Sequence, residues 1–191
     1  MTDSANPVVA LKPRLSLSEY RETPEYAAHD LIQLIDGELV IAMAPIPVHQ
    51  EIVGNIHVLL WLHAKVHGGK VYLSPIEVEF DAYNAFEPDV VYLAPESPCQ
   101  VLEKYLLGAL DLVVEVLSPS TAKHDRDAKF RTYQQYGVRE YWIVDPAHQT
   151  LEAWGLKEGI FHKLGTFAPK DIFQSGVLTQ APIALSDIFS A

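Results

Sequence analysis

Cysteine is almost missing from this sequence. Cys99 is the single one, which excludes an internal disulfide framework and any CxxC metal site. That usage fits a reducing cytoplasm. Long apolar runs are missing too. No window of about 18 apolar residues exists, so no membrane span is expected. The N-terminus lacks a basic and apolar signal pattern, and export is not expected. Positive charge is scarce: 14 Lys and Arg face 25 Asp and Glu, a formal net charge of −11. That balance argues against a sequence-independent grip on nucleic acid, which needs a basic surface. Lys123, Arg126, Lys129, Arg131 and Arg139 form the one local basic cluster, and its ordinary reading is a solvated helix face. Repeats and low-complexity segments are absent.

What remains is globular. Hydrophobic residues make up 49% and charged residues 20% of 191 residues, enough for one domain with a buried core. Residues 1–15 read as a loose, proline-punctuated arm and 16–191 as the domain. Ser16 to Ala28 carries helix signals, with a serine cap and Glu19 in the first turn. Leu31–Ile35 and Leu39–Ala42 flank Asp36-Gly37, a hairpin signal. From Val48 the apolar period becomes helical and stops at Gly68-Gly69. Val71–Phe80, Asp89–Ala94, Leu112–Leu117 and Tyr141–Val144 read as central strands, with a short helix expected near Leu102–Leu107. Leu151–Trp154 and Ile160–Leu164 read as a further hairpin around Glu158-Gly159, and Pro182–Leu185 as a last strand. The order predicts an α/β fold, a mixed sheet with helices packed on it.

The chemistry concentrates between Asp111 and Lys129. Glu115 interrupts the apolar run Leu112–Leu117, where a dry, unpaired carboxylate would cost several kcal/mol. Ser118-Pro119-Ser120-Thr121 breaks the strand and offers a helix start. Lys129 then lies about two turns into that helix. On it, Ala122, Arg126, Lys129, Tyr133 and Tyr136 recur at spacings of three and four, which turns Lys129 inward; Lys123 lies on another stripe. An ordinary i, i+4 pair with Asp125 accounts for Lys129 equally well. Asp89 also opens an apolar strand. Two close carboxylates repel unless a proton or cation intervenes. A hard divalent ion, Mg2+ or Mn2+, is their natural partner and can activate water.

These residues carry a resemblance. Glu87-Pro88-Asp89, then Glu115 to Thr121, Asp125, Lys129, Tyr133, Gly137 and Tyr141 to Pro146 are similar to the pattern of the Uma-two family, in the PD-(D/E)XK restriction-endonuclease-like nuclease superfamily. Ile35 to Glu38 and His49-Gln50 match as well, so the resemblance runs from about Leu31 to Trp154. It implies a restriction-endonuclease-like core with a central mixed β-sheet flanked by helices. Pro88-Asp89 would be the first half of the superfamily signature and Glu115 its second acid. Leu117 holds the place of the usual lysine, and Lys129 would take that role from the next helix. Asp89, Glu115 and the Val116 main-chain carbonyl would hold the ion, with Glu38 as a further acid. His49 is more readily a cap or a satisfied polar residue than a ligand.

The function implied is metal-dependent hydrolysis of phosphodiester bonds in DNA by a cytoplasmic homodimer. The contrasting reading is a non-catalytic interaction protein on the same fold. The acidic balance favours the second and the acid pair the first. RNA as substrate stays open, and no DNA-reading module marks a target sequence.

Overall fold

The computed structural model describes residues 14–29, 31–178 and 180–190. Most of the expected arm, residues 1–13, lies outside them. Its last two residues are tied down: the Leu15 amide donates to Gly37 O at 2.8 Å and Arg14 Nε to Asp36 O at 2.7 Å.

Ser16 caps α1 (Leu17–Arg21) through a capping box in which its own amide donates to the Glu19 carboxylate at 2.7 Å. The single helix expected over Ser16–Ala28 is two, because Pro24 starts α2 (Pro24–Ala28) without an N–H to extend α1. The hairpin forms as read, β1 (Ile32–Ile35) against β2 (Glu38–Ile41). Its turn has positive φ at both Asp36 and Gly37, 52° and 76°, the conformation that a two-residue hairpin requires. Then α3 (Pro47–His67) buries Ile52, Ile56, Leu60 and His63 at helical spacing.

The expected strand Val71–Phe80 is two strands in different sheets. Ser74-Pro75 divides it into β3 (Lys70–Leu73) and β4 (Glu77–Asp81), since Pro75 has no N–H for a ladder. β5 (Asn84–Phe86) and β6 (Val90–Leu93) follow. The helix expected near Leu102–Leu107 is instead β8 (Tyr105–Leu107), hairpinned to β7 (Gln100–Val101) and parallel to β4. Only Leu106 of β8 is buried, between half-buried neighbours, which is a strand's alternation. β9 (Leu112–Val116) leads to α4 (Ala122–Arg126) and α5 (Ala128–Gln135), which the expectation joined as one helix. Asp127 separates them, with φ −128° and ψ −85°. β10 (Glu140–Asp145), the hairpin of β11 (Thr150–Lys157) and β12 (Ile160–Phe167), the pair β13 (Ile172–Gln174) and β14 (Pro182–Ala184), and α6 (Leu185–Phe189) complete the described chain.

The strands make two large sheets, ordered β2-β1-β5-β4-β8-β7 and β12-β11-β10-β9-β6-β3. Both are mixed: β4–β8 and β9–β10 are parallel, their other pairs antiparallel. The fold is thus α/β as expected, with two sheets where one central sheet was read. β9 is an inner strand with all five residues buried. Leu112, Val114 and Val116 pack with residues of α3 and α6 on one face. Val113 packs on the other with Val78, Phe86 and Leu106 of the first sheet and Tyr133 of α5. Glu115, two residues on, projects to that second face. Among the described residues no helix is long and apolar enough to cross a membrane.

Leu60 of α3 is fully buried in the first of these packed faces. Leu60→Ala should cost about 2–5 kcal/mol in urea unfolding. A loss under about 1 kcal/mol would show that α3 is not what seals this face.

Candidate active site

The ends of β6 and β9, the start of α3 and the first turn of α5 surround one cavity of about 900 Å3. Asp89 precedes β6 and is locked by its neighbour: the Val116 amide donates to its Oδ2 at 2.7 Å. Glu115 is 3% exposed and points to the face that α5 covers. The break at Asp127 starts α5 afresh and sets Lys129 and Tyr133, four residues apart, over Glu115. Lys129 Nζ lies 2.8 Å from Glu115 Oε1, and the Tyr133 hydroxyl donates to the same oxygen at 2.6 Å. Lys129 Nζ is also 3.2 Å from Asp125 Oδ1. Both contacts of Lys129 therefore occur together: it pairs with Asp125 and it reaches Glu115. Asp125 is 1% exposed, and its two carboxylate oxygens have no hydrogen bond, leaving that ion pair to hold them.

Asp89, Glu115, Val116 and Lys129 all line the cavity. Glu38 does not: it is exposed beside the turn, at the start of β2. His49, read from sequence as a satisfied polar residue, belongs to the site. From the first turn of α3 its Nε2 sits 3.0 Å from Val116 O and 3.5 Å from Asp89 Oδ2. Its Nδ1 is buried without a hydrogen bond. The sequence held one sign of this, His49 standing among the apolar positions that α3 buries.

Charge explains the cluster's protonation. Burial foremost, with the charges of Asp125 and Asp89 added, pushes the Glu115 carboxyl up to about 8 against the pull of Lys129. Burial opposes the charge on Lys129, yet Glu115 and Asp125 outweigh it and hold the ammonium above its usual range. Burial likewise lowers His49, but the Asp89 carboxylate and the Val116 carbonyl outweigh it and raise the imidazole. Tyr133 is raised well above its ordinary value, by burial and then by Glu115, so it stays a hydroxyl donor.

The oxygens left over matter for a cation. Asp89 Oδ1 and Glu115 Oε2 have no hydrogen-bond partner among the described residues, and their companion oxygens are already oriented. No group of three or more His, Cys, Asp or Glu that could hold a metal is present among the described residues. The donor set therefore offers two carboxylates and no closed cage, which would suit a hydrated Mg2+-like ion and not a fully protein-ligated one.

Elsewhere the basic cluster read from sequence disperses. Arg126 pairs with Glu152 at 2.6 Å, Arg131 with Asp127 and Asp36, and Arg139 with Asp111 at 2.8 Å. Lys123 is exposed.

The family model Uma2, described as "Putative restriction endonuclease", matches residues 17–185. The chain belongs to this family. Its fold is similar to the crystal structure of a putative nuclease of the DUF820 group from Anabaena variabilis, with a TM-score of 0.76 at 18% identity over 92% of this chain and 98% of that one. It is also 28% identical over 142 residues to the uncharacterized protein sll1609 of Synechocystis, which spans 72% of this chain and 78% of that protein. The Uma2 match contains His49, Asp89, Glu115, Val116, Asp125, Lys129 and Tyr133, which make the site, and Glu38, which lies outside it.

The raised Glu115 carboxyl gives a signed pH dependence. Between its ordinary 4.5 and about 8 the folded chain keeps a proton that the unfolded chain releases. Stability contributed by this group therefore falls as pH rises through that window and levels off above it. In chelator, thermal melts from about pH 5 to about pH 8.5 should show a decline in the wild type that Glu115→Gln flattens. Parallel curves for the two proteins would place the retained proton elsewhere.

Proposed function

We propose that this Uma2 protein is a metal-dependent endonuclease that hydrolyses phosphodiester bonds, with DNA as its substrate. One observation carries the reading: two carboxylates and an ammonium, brought by β6, β9 and α5, line one cavity, with Lys129 Nζ 2.8 Å from Glu115. The family description and the nuclease fold support it in class.

Mg2+ or Mn2+ would be held by Asp89 and Glu115, with the Val116 carbonyl as a third donor once His49 releases it. Bound there, the ion supplies a polarised water and positive charge beside the phosphate. The chain's own residues do the positioning. The Val116 amide fixes Asp89, and Tyr133 fixes Glu115. Lys129 is held charged, so it is suited to stabilise negative charge on a phosphoryl oxygen and unsuited to act as a base. A water would attack phosphorus and give up a proton to solvent, while the bond to the sugar oxygen breaks and that oxygen leaves as a hydroxyl after taking a proton from solvent.

A second reading has its own observation. Among the described residues Lys129 is the cavity's one Lys or Arg, and it is committed to two carboxylates, while most of the lining is apolar. That wall suits a non-catalytic binding protein on the same fold.

A manganese-supplemented assay on mixed DNA and RNA, run with Asp89→Asn and Glu115→Gln, separates the two. The endonuclease reading expects Mn2+ binding by calorimetry and cleavage of DNA in the wild type. Either variant should lower cleavage by about 100-fold or more, and Asp89→Asn should also remove the binding. A folded wild type that cuts neither nucleic acid with Mn2+ supplied would leave the binding-protein reading standing.

A further inference from the structure

α3 is covered on one side. Its buried face carries His49, Ile52, Ile56 and Leu60. On the opposite face Val58, Leu62 and Val66 are 54%, 55% and 78% exposed, and Trp61 beside them is 45% exposed. Contiguous apolar side chains of this size mark an interaction surface, whereas scattered single ones need no explanation.

Gly54 lies on the same face, one turn before Val58. A glycine disfavours a helix interior. Nothing inside the chain explains this one, since an added Cβ would meet no atom within 4 Å. Gly54 leaves room for another chain to approach. Acids are kept away from this region as well. In a chain of net charge −11, no Asp or Glu occurs between Glu51 and Glu77.

The face is complementary to itself. Laid antiparallel on a second α3 about Val58, Gly54 stands opposite Leu62, each four residues from the centre, and Glu51 opposite Lys65, each seven away. The gap then receives the bulk, and the acid meets the base. A two-fold axis requires such reciprocity, because every contact occurs twice. The Lys65 ammonium is held near the pairing line, 4.9 Å over the Trp61 ring.

We propose that two copies of this chain pair through the exposed face of α3, antiparallel about a two-fold axis at Val58. The inference is independent of the nuclease reading.

Sedimentation equilibrium tests it. The wild type should sediment as a species of twice the chain mass. Glu51→Lys and Lys65→Glu should each weaken the dimer on the order of tenfold, since each places like charges opposite one another twice. The double variant should restore it, a result that a different partner or a different face would not give. Gly54→Leu should yield a folded monomer, because its side chain has open space in the single chain, with folding checked by thermal melt. Should Gly54→Leu fail to fold, the charge pair, which sits on exposed positions, decides alone. A monomeric wild type overturns the proposal. So does a dimer indifferent to both charge reversals, or a double variant no tighter than the singles.

Discussion

Glu115 and Asp125, both almost wholly out of water, share a single ammonium. A buried ion pair recovers its desolvation cost only with good geometry and further hydrogen bonds. Here there are two acids for one base, so the cluster carries excess negative charge unless it holds a proton or a cation. That imbalance shapes much of what surrounds it. Tyr133 must donate to Glu115. Phe86 must sit where Lys129 lies 5.9 Å over its ring. Removing Lys129 alone would strand two buried carboxylates, at a cost of about 3–5 kcal/mol. The lysine is therefore structural as well as a candidate for chemistry.

An ion at Asp89 and Glu115 would relieve the same imbalance from the cavity side. With the proposed ion the cluster would have two ways of neutralising itself, by a proton in the ion-free state and by a cation in the loaded one. Asp89 belongs to this balance at its edge. It is half-buried, its Oδ2 is held by Val116, and its charge lifts both the Glu115 carboxyl and the His49 imidazole. Val116 ties the two acids together mechanically as well, because its amide serves Asp89 and its carbonyl serves His49.

The parts of this arrangement legible in sequence were those with a local signature. A carboxylate inside the run Leu112–Leu117 is anomalous on any reading, and it sits at the centre of the site. Asp36-Gly37 announces its own turn. The periodicity of α3 is sustained for many residues and needs no tertiary context. Misreadings fell where context decides. Val71–Phe80 reads as extended on both sides of Ser74-Pro75, so its pattern does not say that this pair sends its halves to different sheets. Tyr105–Leu107 is three residues long, and only its partners β4 and β7 make it a strand. The α4–α5 break at Asp127 has no proline or glycine to mark it, yet it sets how Lys129 meets Glu115. His49 was only faintly legible as a site residue, through its place among the buried positions of α3, because its partner is the main-chain carbonyl of Val116, 67 residues on.

α3 joins the candidate site to the proposed pairing face. Its first turn brings His49 to Val116 and Asp89, its buried face seals β9, and its exposed face carries the glycine and the apolar ridge. In the proposed pairing the helices run antiparallel, so the two His49 residues lie at opposite ends of the contact and each cavity remains whole within its own chain. Pairing would then change the spacing and direction of the two sites and leave their chemistry alone. Two sites related by a two-fold axis present themselves in opposite senses, which matches the antiparallel strands of a duplex. The acid-free stretch between Glu51 and Glu77 serves this arrangement too, because two copies at −11 each must meet where their repulsion is weakest.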